Sequence, residues 1–351
     1  MKRSVKEQAR WSVQEIASYW GDRMTFIGTL KRRIPWSLRG LNPFLSAYGD
    51  STLFRGIRRT PRLRSNPSSD TGIHSAVPHR YLFAYLVAIK SFLHHHPDIA
   101  VFVHDDGSLT EEDKALVRSH IDGIRIIDRA VADRWFDDQI KDPFLAKVRS
   151  SYTSYLKLFD PTLVSDKRRI IIVDTDTLFL RRPSAVIEWA GKGGLAWYHR
   201  VHQGRMKLSE NALSRLTQTQ DVHIQALITQ ELDQINEKLN RHYRFMPGFN
   251  SGFIGYDNGT VNFPELKELF QLLYARFADR IFRWGAEQTT HGLILGARDA
   301  QALPVEDYFV YTQRNADLAP AATFVHFIGE NRFYRMQYPR LASRIIRELR
   351  G

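Results

Sequence analysis

The sequence predicts an α/β protein, a central sheet flanked by helices with its functional edge at the carboxyl ends of the strands. Three observations carry that expectation. In Arg168-Arg169-Ile170-Ile171-Ile172-Val173, four consecutive branched apolar residues read as a strand buried on both faces. This run passes directly into two acids, Asp174 and Asp176, then resumes as Leu178-Phe179-Leu180 and stops at Pro183. A strand–helix rhythm also begins near Gly72 and continues along the chain.

Residues 73–77 form a short strand broken by Pro78, and residues 81–94 a helix with a wide apolar face. Residues 100–104 are a second strand, ending in Asp105-Asp106-Gly107. Residues 108–113 read as a helix start, with a hydroxyl cap and an acidic first turn. Residues 124–127 supply a third strand, and residues 152–159 a helix expected to end before Pro161. Residues 200–245 carry helical periodicity, an insert of the kind that serves as lid or partner surface. Phe249-Asn250-Ser251-Gly252-Phe253-Ile254-Gly255-Tyr256 follows as a distinct motif. Helices over 263–282 and 287–295, a strand over 322–327 and a basic helix over 340–350 complete the pattern.

A chain of 351 residues with 43% hydrophobic content can bury a large core in one or two domains. The net charge of +12 is uneven, because residues 1–70 hold 14 basic and 5 acidic side chains. The expected organisation is a basic extension over 1–71, an α/β body over 72–335 with the helical insert at about 200–245, and a basic C-terminal helix over 336–351. Residues 1–33 have loosely helical spacing, and residues 35–72 read as irregular linker. The basic termini suit a peripheral membrane contact or another anionic surface. With no cysteine, disulfides, thiolate zinc sites and a cysteine nucleophile are excluded. No apolar signal segment follows Met1-Lys2-Arg3, and no apolar run spans a bilayer, so a cytoplasmic location is expected.

Asp174 and Asp176 are the strongest chemical signal. Residues i and i+2 of a strand share a face, so both carboxylates can reach one cation. Buried acids need such compensation, and oxygen ligands with open positions suit Mg²⁺ or Mn²⁺ carrying a diphosphate. Two enzyme classes use this arrangement, nucleotide-sugar glycosyltransferases and haloacid-dehalogenase-like phosphatases. Asp174-Thr175-Asp176-Thr177 satisfies the phosphatase pattern, but no matching downstream acid pair follows, and the acid strand lies midway along the chain. A nucleic-acid-binding role for the basic extension is disfavoured, since no RNA or DNA module is recognisable.

Five motifs in order make the chain resemble GT-A-fold glycosyltransferases, above all the retaining glycogenin and lipopolysaccharide galactosyltransferase group. They are Leu156-Lys157-Leu158, Val173-Asp174-Thr175-Asp176, Phe249-Asn250-Ser251-Gly252, Glu287-Gln288 and Val325-His326-Phe327-Ile328-Gly329. The resemblance, over about residues 72–335, implies a GT-A (Rossmann-like) fold with a mixed central sheet. It implies Mn²⁺ or Mg²⁺ on Asp174, Asp176 and His326. Lys157, Ser251, Gly252 and Arg332 would contact a nucleoside-diphosphate sugar donor, first of all a UDP-sugar. Glu287, Gln288 and Asn250 would lie beside the reacting sugar, and a glycan or glycolipid would be the acceptor. Retention of configuration is implied by the resemblance alone. Arg332 stands where the family has Lys, and Glu287 where it has Asp.

Further candidates are the His94-His95-His96 run, as metal ligands or helix cap, and Asp105-Asp106-Gly107, as nucleotide edge or simple turn. His74, Val77 and Tyr81 border the expected base site. Arg149 and Tyr152 precede the Lys157 helix and face the pyrophosphate, solvent or the core. His199, at a strand end, is a candidate acceptor contact.

Overall fold

The computed structural model describes residues 44–45, 49, 52–201 and 224–351. The helix expected over 1–33 and residues 202–223 of the insert lie outside them. In chain order the strands are β1 (Leu63–Arg64), β2 (Thr71–Val77), β3 (Ala100–Asp105), β4 (Ile121–Asp122), β5 (Arg125–Ile127) and β6 (Arg169–Val173). They continue with β7 (Thr177–Phe179), β8 (Trp197–Val201), β9 (Phe249–Asp257), β10 (Gln301–Ala302), β11 (Tyr308–Val310) and β12 (Phe324–His326). Ten of them form one sheet of order β5-β3-β2-β6-β9-β8-β11-β12-β7, with β10 beside β8, while β1 pairs with β4 separately. Strands β5, β3, β2 and β6 are parallel, whereas β9 runs antiparallel between β6 and β8, and β7 antiparallel to β12. The α/β fold with a mixed, helix-flanked sheet is therefore the one expected.

The helices are α1 (Leu82–His95), α2 (Glu111–His120), α3 (Arg129–Ile140), α4 (Pro143–Ser151) and α5 (Leu156–Val164). They are followed by α6 (Ser184–Lys192), α7 (Ile224–Leu239), α8 (Phe263–Phe277), α9 (Ala286–Gly296) and α10 (Gln337–Glu348). Strand β6 shows why the sheet needs both layers. Ile171 and Val173 enter one core with side chains of α1, α6 and α10, and Ile170 and Ile172 enter the other with α5, α8 and α9. Each such burial contributes about 1.5–3 kcal/mol. The start of α2 is set as expected: Thr110 Oγ1 accepts from the Asp113 N–H, and Asp113 Oδ2 accepts from the Thr110 N–H.

Four expectations are corrected. The acidic strand does not continue through Asp174 and Asp176. It ends at Val173, the acids sit in a turn, and β7 lies at the far edge of the sheet, away from β6. Pro161 does not end α5: the helix runs through it to Val164, and Phe159, Asp160 and Pro161 are all buried there. Part of the expected linker is packed chain: Phe54 and Ile57 are buried in the core, with Phe54 4.7 Å from the Tyr338 ring of α10. The described part of the insert is also core, since Ile228 and Ile235 of α7 are fully buried. No helix among the described residues is long and apolar enough to cross a membrane.

Candidate active site

The turn after β6 is pinned on three sides. The Asp174 N–H donates to the Gly252 carbonyl of β9 (2.8 Å), the Phe327 N–H donates to the Asp176 carbonyl (2.8 Å), and Thr177 Oγ1 donates to the Asp174 carbonyl (2.9 Å). These bonds draw the two acids together without the shared strand face that the spacing suggested. His326 ends β12, opposite Thr177 of β7. Its Nε2 lies 3.0 Å from Asp176 Oδ1 and 3.7 Å from Asp174 Oδ2. One ligand atom from each of Asp174, Asp176 and His326 lies within 4.8 Å of the others.

Two cations flank this group. Lys157 Nζ of α5 is 2.8 Å from Asp174 Oδ1 and 3.7 Å from Glu287 Oε2. Arg332 Nη2 is 3.2 Å from Asp176 Oδ2, and its guanidinium lies 4.9 Å from the Tyr81 ring. Burial works against the charge on Asp176, but Arg332 and His326 outweigh it and hold the carboxyl at about 2. Burial likewise opposes the charge on Lys157, yet Asp174 and Glu287 carry its pKa upward. Glu287, only 5% exposed, is held below the usual carboxylate range: burial pushes it up, and Lys157 and His291 more than reverse that. Its Oε1 lies 2.7 Å from His291 Nδ1, and its Oε2 accepts from Ser251 Oγ at 3.3 Å.

The donor set fits a hard divalent cation. Two carboxylates and one imidazole offer oxygen and nitrogen and leave coordination positions open. Asp174, Asp176 and Glu287 also outnumber the permanent cations Lys157 and Arg332 that touch them, so a further positive charge is favoured. The space beside the ligands is kept by Gly252, where a Cβ would fall 2.8 Å from Asp174 Oδ2.

The fold thus gathers Lys157, Asp174, Asp176, Ser251, Gly252, Glu287, His326 and Arg332. Asn250 is buried beside them, its Oδ1 accepting from the Gly252 N–H (2.9 Å). Gln288 is half-buried on the first turn of α9 and makes none of these contacts. Arg149 is a core residue: it donates to Asp160 Oδ1 and Oδ2 (2.7 and 3.1 Å) and to Asp133. His74 is buried against Phe102 and bonded to His104 and Ser165, so only Tyr81 of its group borders the site. Asp105 closes a turn, its Oδ1 accepting from the Gly107 and Leu109 N–H groups. No three-ligand group among the described residues includes the His94-His95-His96 run, which ends α1. His199 is 0% exposed and packed behind His326. The sequence reading missed the part played by His291; its i,i+4 spacing from Glu287 on a predicted helix was the available signal.

The fold and this cluster define an α/β protein with an acid–acid–imidazole site at the exit of its central strand. No protein-family model matches the chain, and no curated protein matches it. Among solved structures it is similar to the apo form of the WbbM bifunctional glycosyltransferase, with 13% identity, a TM-score of 0.48, and 80% of this chain and 50% of that one covered. The chain thus spans about half the length of that protein. It is also similar to the galactosyltransferase LgtC (18% identity, TM-score 0.42, 80% and 95% covered). A third likeness is to mouse xyloside xylosyltransferase 1 (13% identity, TM-score 0.43, 77% and 99% covered). At such identities and TM-scores, activity has to be argued from the side chains.

Proposed function

We propose that this chain is a metal-dependent glycosyltransferase that moves a sugar from a nucleoside-diphosphate donor to a glycan or glycolipid acceptor. The observation that carries this reading is the convergence of Asp174, Asp176 and His326 within 4.8 Å, flanked by the cations Lys157 and Arg332. Mn²⁺ or Mg²⁺ held by Asp174, Asp176 and His326 would supply positive charge to the departing diphosphate. Lys157 and Arg332 add fixed positive charge around the same leaving group, already desolvated and oriented. In the transfer, the bond from the anomeric carbon to the diphosphate breaks, a bond to an acceptor oxygen forms, and the hydroxyl proton is released.

Glu287, held anionic by Lys157 and His291, is the carboxylate suited to an electron-poor anomeric carbon. Ser251, Gly252, Asn250 and Gln288 would line the sugar, and the resemblance favours UDP as the nucleotide and retention as the outcome. The exposed Arg58, Arg59, Arg347 and Arg350, joined where Arg350 donates to the Gly56 carbonyl, support a peripheral contact with an anionic membrane.

The test is a thermal-shift panel of nucleoside diphosphates with and without Mn²⁺, followed by hydrolysis of the matching sugar nucleotide. UDP should raise Tm only with the metal, and Asp176→Asn should remove that shift while the chain stays folded. Turnover of a simple phosphomonoester, or salt-sensitive oligonucleotide binding without any metal-dependent nucleotide effect, would overturn the proposal.

A further inference from the structure

We infer that His199 is a positioning residue: by its hydrogen bonds it fixes the tautomer of His326, so that Nε2 of His326 presents its lone pair to the metal cluster. The inference rests on the metal reading above and assigns a role to a residue that would touch neither the metal nor the donor and acts through His326.

A carbonyl oxygen can only accept, so the 3.0 Å contact between His199 Nδ1 and the Phe253 carbonyl requires the proton on Nδ1. His199 is 0% exposed, its ring faces Phe253, Phe324 and His326, and its two hydrogen bonds go to Phe253 and His326. A second proton would therefore be a buried charge with no carboxylate bonded to it, which full burial of the ring disfavours. With Nδ1 protonated and the ring neutral, Nε2 of His199 is an acceptor. That nitrogen lies 3.1 Å from His326 Nδ1, which must donate to it. Nε2 of His326 is then the atom left for the cluster, 3.0 Å from Asp176 Oδ1 and 3.7 Å from Asp174 Oδ2. Without a cation it donates a proton to the Asp176 oxygen, which can only accept, and a bound cation would take that proton's place and meet the lone pair. Metal-bound histidines are oriented in this way by a partner on their other nitrogen.

An irregularity in the sheet makes the relay reachable. Along β8 and β9, Tyr198 pairs with Ile254, but His199 pairs with Asn250, so residues 251–253 have no partner on β8. Such a break re-aims side chains beside a site. Here it sets Gly252 against the acids and turns the Phe253 carbonyl to the His199 ring.

The test uses ¹⁵N-histidine-labelled, Mg²⁺-loaded protein and three chains, the wild type, His199→Gln and His199→Phe. Long-range ¹H–¹⁵N spectra should show His199 protonated on Nδ1 alone and His326 bearing its proton on Nδ1. Mn²⁺ titration followed by the free-Mn²⁺ EPR signal should show about a 10- to 100-fold weaker affinity for His199→Phe. His199→Gln keeps an oxygen that can accept from His326 and should stay within about threefold of the wild type. Thermal melts establish that each variant folds, and if His199→Phe does not, the spectra and the Gln variant decide. A proton on His199 Nε2, or wild-type affinity in a folded Phe variant, overturns the assignment. If the wild-type chain itself binds no Mn²⁺, the metal reading falls, and this one with it.

Discussion

Gly252 and His326 lie so close that no side chain fits between them. A Cβ at residue 252 would fall 2.7 Å from His326 Nδ1 and closer still to Cε1, besides its approach to Asp174 Oδ2. The backbone of β9 therefore serves as one wall of the ligand cluster, and glycine is required there by proximity.

Gly252→Ala is accordingly expected to displace the His326 ring. It should cost about 1–3 kcal/mol of stability and weaken Mn²⁺ binding about tenfold or more. Urea unfolding and Mn²⁺ titration of the variant measure both. Wild-type metal affinity in this variant would mean that His326 is not a ligand.

Lys157→Met should separate binding from chemistry. Lys157 Nζ sits 2.8 Å from Asp174 Oδ1, where it competes with a cation for the carboxylate. Removing it should leave Mn²⁺ affinity unchanged or tighter, while sugar-nucleotide hydrolysis falls by about 10²–10³. Parallel loss of both would show that Lys157 only holds the site together.

Arg149→Met is expected to behave in the opposite way. Its guanidinium is bonded bidentately to Asp160, whose side chain is 1% exposed, and it stands on α4 behind the helix that carries Lys157. Leaving Asp160 without that partner should cost about 3–5 kcal/mol. Mn²⁺ affinity of the folded fraction should stay within about threefold of the wild type, since Arg149 touches no ligand residue.

Stability should also report a buried basic pair. Lys90 Nζ donates to Thr60 Oγ1 (2.6 Å), the Pro61 carbonyl (2.6 Å) and His120 Nδ1 (3.1 Å). Burial pushes Lys90 down to about 8 from 10.5, and burial with the charges of Lys90 and Arg58 pushes His120 down to about 4 from 6.5. Between each pair of values the unfolded chain binds more protons than the folded one, so each group favours folding increasingly as pH rises through its window. Relative to Lys90→Met, the wild-type Tm should gain between pH 8 and 10.5; relative to His120→Asn it should lose as pH falls from 6.5 to 4. Differences that stay flat with pH would place both groups outside the titrating set.

Much of the site could be read from the chain because its chemistry is local in sequence. Asp174 and Asp176 announce themselves as acids at the end of a branched apolar run. Glu287 and His291 share a helix face, and α5 carries Lys157 one segment ahead of the acids. The roles that the sequence leaves open or misassigns belong to residues whose surroundings only the fold shows. For Arg149 the sequence leaves pyrophosphate, solvent and core all open, because nothing in it marks that Asp160, 11 positions further on, faces it. His199 reads as an acceptor contact because a strand end is usually open, whereas here β12 and β9 close over it.

By itself, then, the sequence determined the layered α/β fold, through the periodicity of its apolar residues, and marked the candidate cation site, through two neighbouring acids. Only the tertiary structure decided how those acids meet a base. Asp176 and His326 are separated by 150 positions and are brought to 3.0 Å by the pairing of β7 with β12 at the sheet edge. Sheet order and register follow from which faces can be buried against which helices. That is a property of the whole packed core, and no short stretch of residues encodes it.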